Sequence, residues 1–370
     1  MKVLNVASLA IFSCTASACL WDKDTLSVEA SKYPDLMAAT IGWFPRYPPL
    51  YYQMRRDRCL NDLKLDPSRL GEYDDAAVAD DHLGDDTAAI KLMDLKKAVL
   101  DKMPESPEKS NQTYRYDANI GTFYVHRWAR HGEKNSEIKD LHIAEDFIAK
   151  ALAINPNSHF GRERVQLDVM RWMDDSTMRD GQNIEDLLSY LESGNPIENT
   201  RESRQKLLNG LGGLVMLGNA WESSEIFLEI RLIAERNVQQ HLQAFARARY
   251  AELIVQETGK PWPQDSVPAD PDKQSWDQKE YLRMRGLADA EHKRLTNFMM
   301  SRLKAGRHPD TDSTFWDGYA PAPAPVYRDD PVHPPVQSRW NSTTLGVVLA
   351  LALAVPLMAF WLIRWRKSKL

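Results

Sequence analysis

The residues best placed to do chemistry in this 370-residue chain lie in "ARHGE", Ala129 to Glu133. An Arg beside a His and a Gly-Glu could handle a phosphate monoester: the imidazole attacks phosphorus while the guanidinium clamps the oxygens. The preceding "GTFYVHRW" spaces its aromatic and polar residues as a helix does, so Arg130 and His131 read as charges that complement a helix C-terminus. His126 and His131 stand five apart on diverging faces, and His142 and His159 fall on separate elements. Neither His-Glu-x-x-His nor Cys-x-x-Cys occurs. "NGLGGLVMLG" lacks the Lys-Ser/Thr of a phosphate loop and suits close helix packing. "DDAAVADDHLGDD" lacks the spacing of a calcium loop and reads as a solvated helix face. No nucleophile elbow and no dinucleotide fingerprint is present. The expectation is therefore no catalytic residue, no metal, no cofactor and no enzyme.

The elements that would position any site divide by composition. Residues 1–18 carry a lysine, an apolar stretch and Ala16-Ser17-Ala18, the pattern of a cleaved signal peptide. Residues 343–363 are an uncharged run whose apolar part, Leu345 to Ile363, would span roughly 28 Å as a helix, close to the hydrocarbon thickness of a bilayer. Trp340, Trp361 and Trp365 flank it, and Arg364, Arg366, Lys367 and Lys369 follow in a basic tail, 364–370. That charge bias predicts a single-pass membrane protein with its large domain periplasmic or extracytoplasmic and its C-terminus cytoplasmic. The net charge is −5; with the four tail cations set aside the remainder carries about −9, which excludes nucleic acid as an expected partner. Once the signal is gone only Cys19 and Cys59 remain, and disulfide pairing or lipidation of Cys19 both stay open.

Between these ends, 19–72 reads as an irregular Pro- and aromatic-rich strap. Pro45, Pro48 and Pro49 forbid a continuous helix, so "FPRYPPLYY" is expected to run extended, packing Trp43, Phe44, Tyr47, Tyr51 and Tyr52 over the first helices. From 73 to 306 the three-and-four spacing of apolar residues predicts helix pairs joined by short turns, with no strand. Gly84 splits two of these helices, Asp86 or Thr87 caps the second, Gly132 ends another, and Asp140 opens the next. Residues 307–342, with alternating Ala-Pro and paired prolines, read as an extended stem that spaces the domain from the membrane.

The helical region has an internal pattern. "IAEDFIAKALAINP" places Ala144, Ile148 and Pro156 on the closing A-x3-F…P of a repeat, and Ile120-Gly121-x2-Tyr124 matches its L-G-x2-Y, although "GEKNSEIKDLH" makes the connecting loop about eleven residues longer than that pattern allows. Tyr73, Ala77, Ala89 and Met93 form a second unit in which Asp80 replaces the Tyr and no Pro closes. A third lies near Leu211-Gly212, Phe227 and Ile230. These residues resemble the tetratricopeptide repeat. The resemblance implies an all-α fold, a tetratricopeptide-like helix-pair array or α-solenoid with a C-terminal transmembrane helix. It also implies a scaffold that binds a protein or peptide partner at the cell envelope. The groove positions carried over are Asp74, Val78, Asp81 and His82 in one unit and Ala118, Thr122, Val125 and His126 in the other. Asp74 and Asp81 would make that groove acidic and suit a basic peptide. A structural subunit of an envelope complex, or an enzyme with an unrecognised site, are the alternatives.

Overall fold

Local signals account for where the helices begin and end. The computed structural model describes residues 20–24, 35–132, 135–156, 161–178, 186–194, 200–218, 220–259 and 274–329. Helix α1 (Leu36–Ile41) is opened by Asp35, whose carboxylate accepts the amides of Met37 and Ala38 at 2.9 and 3.2 Å, and is closed by Gly42 in the left-handed region at φ 74°. An irregular run to Pro48 follows. Pro49 then takes the first position of α2 (Pro49–Leu65), where a missing amide hydrogen costs nothing. Helices α3 (Leu70–His82) and α4 (Asp86–Leu100) are split at Gly84, φ 83°, and Asp85 caps α4 by accepting the Ala88 amide at 2.9 Å. Ser106 opens α5 (Pro107–Arg130), which ends at Gly132, φ 84°. After it come α6 (Ile138–Ile154), α7 (Arg162–Met178), α8 (Leu187–Gly194), α9 (Arg201–Leu217), α10 (Ser224–Arg236) and α11 (Gln240–Thr258). A Ser275–Gln278 capping box opens α12 (Trp276–Leu303). The described residues contain twelve α-helices and no strand, an all-α fold.

Consecutive helices pack on one another from α2 to α7; α9 then lies against α7, and α10, α11 and α12 follow in order. The last long helix also touches α1 and α2, so the array closes back on its own start. Small residues set the approach distances. A Cβ on Gly121 would stand 3.0 Å from Ile148 Cδ1 and 3.1 Å from the Ala144 carbonyl, so α5 and α6 meet where the repeat pattern puts its small positions. On α9, a Cβ at Gly210 would fall 2.4 Å from Val165 of α7, closer than any carbon pair tolerates.

Four expectations need correction. The stretch 19–72 is not irregular throughout: Pro49 starts a helix instead of extending one, and Tyr51 and Tyr52 lie on its buried face. Asp85, not Asp86 or Thr87, caps α4, while Asp140 sits inside α6 and binds Arg127 at 2.7 Å. The acidic run of α3 is no solvated face, since Asp74, Asp75, Asp80 and Asp81 are all buried. Most consequentially, the stem does not begin at 307. Residues 307–319 fold back onto α2 and α12: His308 stacks on Tyr51 at 4.7 Å, Phe315 is fully buried beside Met299 and Leu303, and the Tyr319 hydroxyl donates to Glu291 at 2.6 Å. From Ala320 the described chain has no regular element and is mostly exposed, still touching α12 where the Ala322 amide meets Glu291 at 3.3 Å and Arg283 donates to the Val326 carbonyl at 2.7 Å. Among the described residues no helix is long and apolar enough to cross a membrane; the signal at 1–18, the span at 343–363 and the tail at 364–370 lie outside them.

A single guanidinium ties this return segment down. Arg55, 1% exposed on α2, binds Asp22 at 3.1 Å, Asp24 at 2.8 Å and Asp310 through both Nε and Nη2 at 2.9 and 2.8 Å. Arg58 adds a second contact to Asp310 at 2.9 Å.

Two pairs of substitutions check this packing. Gly210→Ala should lower the thermal midpoint, because overpacking by about 1–3 kcal/mol outweighs the roughly 1 kcal/mol of helix propensity gained, and Val165→Ala should recover part of the loss. Gly286→Ala, on an exposed face of α12 with nothing within 4 Å of the new carbon, should raise it. Equal midpoints for both variants would remove the close-approach argument. Arg55→Met removes the buried cation that three carboxylates share and should cost about 3–5 kcal/mol. Burial alone would raise the Asp310 carboxyl, but Arg55, His308 and Arg58 hold it at about 2, against an ordinary 3.8. Its contribution is therefore complete above about pH 4 and lost as pH falls through about 2. Asp310→Asn should expose 307–319 to protease at neutral pH, and unchanged protection would show that the His308, Phe315 and Tyr319 contacts hold the segment without the ion pair.

Candidate functional site

A cleft of about 480 Å³ gathers charged and aromatic side chains from several helices. One wall comes from the facing helices α3 and α5, through Val78, His82, His126 and Arg130. The other comes from the Gly42–Pro48 linker, through Phe44, Arg46 and Tyr47, and from the turn after α9, through Met216, Trp221 and Glu222. Gly42 is required here twice over: its φ is left-handed, and a Cβ on it would lie 2.8 Å from the Trp221 ring. The linker crosses Trp221 only because that position has no side chain.

On the helical wall, Asp81 is fully buried and meets His126 Nδ1 at 2.7 Å and Arg130 Nη1 at 3.1 Å; Arg130 also pairs with Asp86 and donates to the Asp81 carbonyl at 2.9 Å. Despite burial, His126 and Arg130 hold the Asp81 carboxyl well below the usual carboxylate range, whereas burial pushes Asp86 up to about 7. A carboxylate only accepts, so His126 donates from Nδ1 and presents Nε2 as the other end of an oriented ring. His126 is 2% exposed, and its Nε2 has no hydrogen-bond partner among the described residues. Next to it His82 stacks on Tyr52 at 4.1 Å, and burial lowers its imidazole to about 4.

On the linker wall three guanidiniums gather around one indole: Arg249 at 3.7 Å, Arg46 and Arg285 each at 5.1 Å from the Trp221 ring centre. Arg249 donates to Glu252 at 3.0 Å and to the Trp221 carbonyl at 2.8 Å, and Arg285 pairs with Asp289, so each has an acceptor even though its Nε has none among the described residues. Arg46 differs. Its Nε and Nη2 are buried without an acceptor among the described residues, and burial, then Arg285, lower its pKa to about 10, so it stays charged at neutral pH.

Of the residues carried over from the repeat pattern, Val78, His82 and His126 line the cleft, and Asp81 orients His126. The others do not reach it. Asp74 is enclosed by Lys96, whose ammonium meets both its oxygens at 2.7 Å, and by Asn119 at 3.1 Å. Ala118, Thr122 and Val125 are buried inside the helix contacts, with the Thr122 hydroxyl donating to the Ala118 carbonyl at 2.8 Å. The acidic groove is therefore not formed: α3 is packed on both flanks, by α4 and α5, and each of these carboxylates already holds a cation. Cys59 is buried and free, with its thiol pushed up by burial, and Cys19 lies outside the described residues. Arg130 and His131 diverge, Arg130 inward to Asp81 and His131 outward to Glu137, so they make no phosphate site.

Two buried groups have metal-like donor sets, Asp81 with Asp86 and His126, and Cys59 with Glu72 and Asp75. In each an arginine supplies the positive charge: Arg130 in the first, and Arg58 in the second at 3.0 Å from Glu72 and 3.3 Å from Cys59 Sγ. Sequence reasoning passed over Arg46, Trp221 and Lys96. The one available signal was an arginine set in "WFPRYPP", a cation among aromatic faces. Comparisons with protein-family models, with curated proteins and with solved structures find no match to this protein.

The lowered His82 pKa has a measurable sign. Its folded value lies below the ordinary 6.5, so the stability it contributes is present above about pH 6.5 and lost as pH falls through about 4. Because the ring is half-buried, the loss should be of the order of 1 kcal/mol. His82→Phe keeps the stack on Tyr52 and should flatten that part of the wild-type stability–pH curve; a curve of unchanged slope would show that other groups produce it.

Proposed function

We propose that the protein is an exported, membrane-tethered helical scaffold of the tetratricopeptide-like kind, which binds a segment of a partner protein in this cleft at the cell envelope. The repeat-like small residues, the signal pattern at 1–18, and the apolar run with its basic tail at 343–370 support the tethered-scaffold part of this reading. The observation that carries the binding part is His126. A buried imidazole, oriented by Asp81, has no partner among the described residues at Nε2 and lines a cleft that also holds Phe44, Tyr47, Tyr52 and Trp221. Leaving such a group unsatisfied costs about 1–3 kcal/mol, and a ligand that hydrogen-bonds to it offsets that cost only on binding. The cleft volume falls within the range of about 300–1,000 Å³ common for ligand sites, enough for a short peptide segment.

The Asp81–His126 pair also has the form of an oriented general base, which favours a hydrolytic reading. That reading lacks a nucleophile, since no Ser, Thr or Cys is among the residues that line the cleft. Binding accounts for the same geometry without one.

The test is selection of peptides from a random library on the full-length protein held in lipid nanodiscs. Met216→Trp, which fills the cleft from a half-buried position, should weaken the selected peptides at least about tenfold. Gln240→Trp on α11, outside the cleft, should leave them unchanged. Equal binding to both variants would place recognition elsewhere on the molecule.

A further inference from the structure

The linker wall says more about what the bound segment carries. We propose that Arg46 forms a carboxylate subsite of the cleft, so that the partner segment meets it with a terminal carboxylate or an acidic side group; this rests on the reading of the cleft as a binding site.

Three observations carry the inference. First, Arg46 is the member of the Trp221 cluster without an ion pair among the described residues: Arg249 and Arg285 each have a carboxylate partner, whereas Asp289 and Glu222 reach Arg46 only through their field. A cation taken partly out of water against Phe44 at 5.5 Å and Trp221 at 5.1 Å is costly without a counter-ion. Second, the two donors without acceptors, Nε and Nη2, share one edge of the guanidinium, the parallel pair that takes a carboxylate through two hydrogen bonds. No hydrogen bond to a described residue anchors the guanidinium, so a change of rotamer turns that edge toward an occupant of the cleft it lines. Third, the field selects among anions. Asp22, Asp24 and Glu222 line the same cleft, and Asp22 and Asp24 are answered by Arg55 while Glu222 is exposed. The exposed Glu222 carboxylate acting on Arg46 disfavours a dianion more than a monoanion, so a carboxylate fits better than a phosphate monoester.

His126 comes from α5 and Arg46 from the Gly42–Pro48 linker, and both line the cleft. A segment lying between them presents its carboxylate to Arg46 and a polar hydrogen-bonding group to His126 Nε2, with its apolar atoms over the aromatic rings. Two fixed polar contacts at the ends of an apolar cleft determine both orientation and register.

The experiment uses the full-length protein in nanodiscs and three small probes of one shape: benzoate, benzamide and phenyl phosphate. At about 10 mM probe, benzoate should raise the thermal midpoint while benzamide shifts it little. Arg46→Met should weaken benzoate at least about tenfold, and Arg46→Lys, which keeps the charge without the fork, should fall between. Because no described acceptor depends on Arg46, Arg46→Met should unfold no earlier than wild type when no probe is present, which separates lost binding from lost folding. Benzoate binding that survives Arg46→Met would overturn the subsite. Benzamide shifting the midpoint as much as benzoate would overturn it too, while leaving the cleft as a binding site. A stronger effect of phenyl phosphate would overturn the choice of carboxylate. If no probe shifts the midpoint, the subsite is rejected, and the peptide selection above still decides whether the cleft binds at all.

Discussion

The architecture depends on one buried cation. Arg55 gathers three carboxylates that lie 33, 31 and 255 residues away along the sequence, from the N-terminal segment and from the segment that follows the last helix. A guanidinium at 1% exposure is tolerable only when its donors are met, and no single neighbour could meet them. The protein is therefore pinned at both ends of the described array to the same point on α2. Around that point the apolar contacts of Tyr51, Met299, Leu303 and Phe315 supply area, but the ion cluster supplies the position.

The same logic recurs along α3, whose aspartates each meet a different element. Asp74 holds Lys96 of α4, Asp80 faces Arg56 of α2 at 3.6 Å, Asp81 holds His126 and Arg130 of α5, and Asp75 accepts the backbone amide of Lys23 at 3.1 Å. Alanine-lined helices pack closely but slide easily, because small apolar faces have little shape to distinguish one register from the next. Buried pairs of this kind penalise every register but one, at the cost of desolvating several charges. The cleft lies where that satisfaction stops. Among the described residues His126 has a partner on one nitrogen only, Arg46 stacks on Trp221 without an acceptor, and both residues line one cleft.

Much of the helical layout was legible along the sequence. Gly84, Gly132 and the three-and-four spacing of apolar residues mark helices that the fold contains, and Gly121 with Ala144 and Ile148 marks a close helix contact. These are local signals, read within a turn or two. Composition misleads where its meaning depends on surroundings. Pro49 looks like a residue that prevents a helix, yet it starts one, because proline is tolerated at the first helical position. "HPDTDSTFWDGY" looks like part of the stem because prolines follow it, yet its aromatic residues and Asp310 find buried partners on α2 and α12. The run of aspartates on α3 resembles a wet surface because its counter-ions lie on other helices.

The candidate site divides in the same way. The sequence by itself determined the helical character of the described residues and the small side chains that let helices meet, and its repeat-like pattern offered eight groove positions of which Val78, His82 and His126 line the cleft and Asp81 supports it. Helical periodicity is a property of near neighbours in sequence, so those features needed no fold to be seen. Only the tertiary structure decided that Asp74 would be neutralised by Lys96, that Asp81 would orient His126, and that a linker passing over Gly42 would set Arg46 against the distant Trp221. Whether a charge is answered or left open depends on groups brought from distant segments, and no pattern within one segment records which of them will arrive.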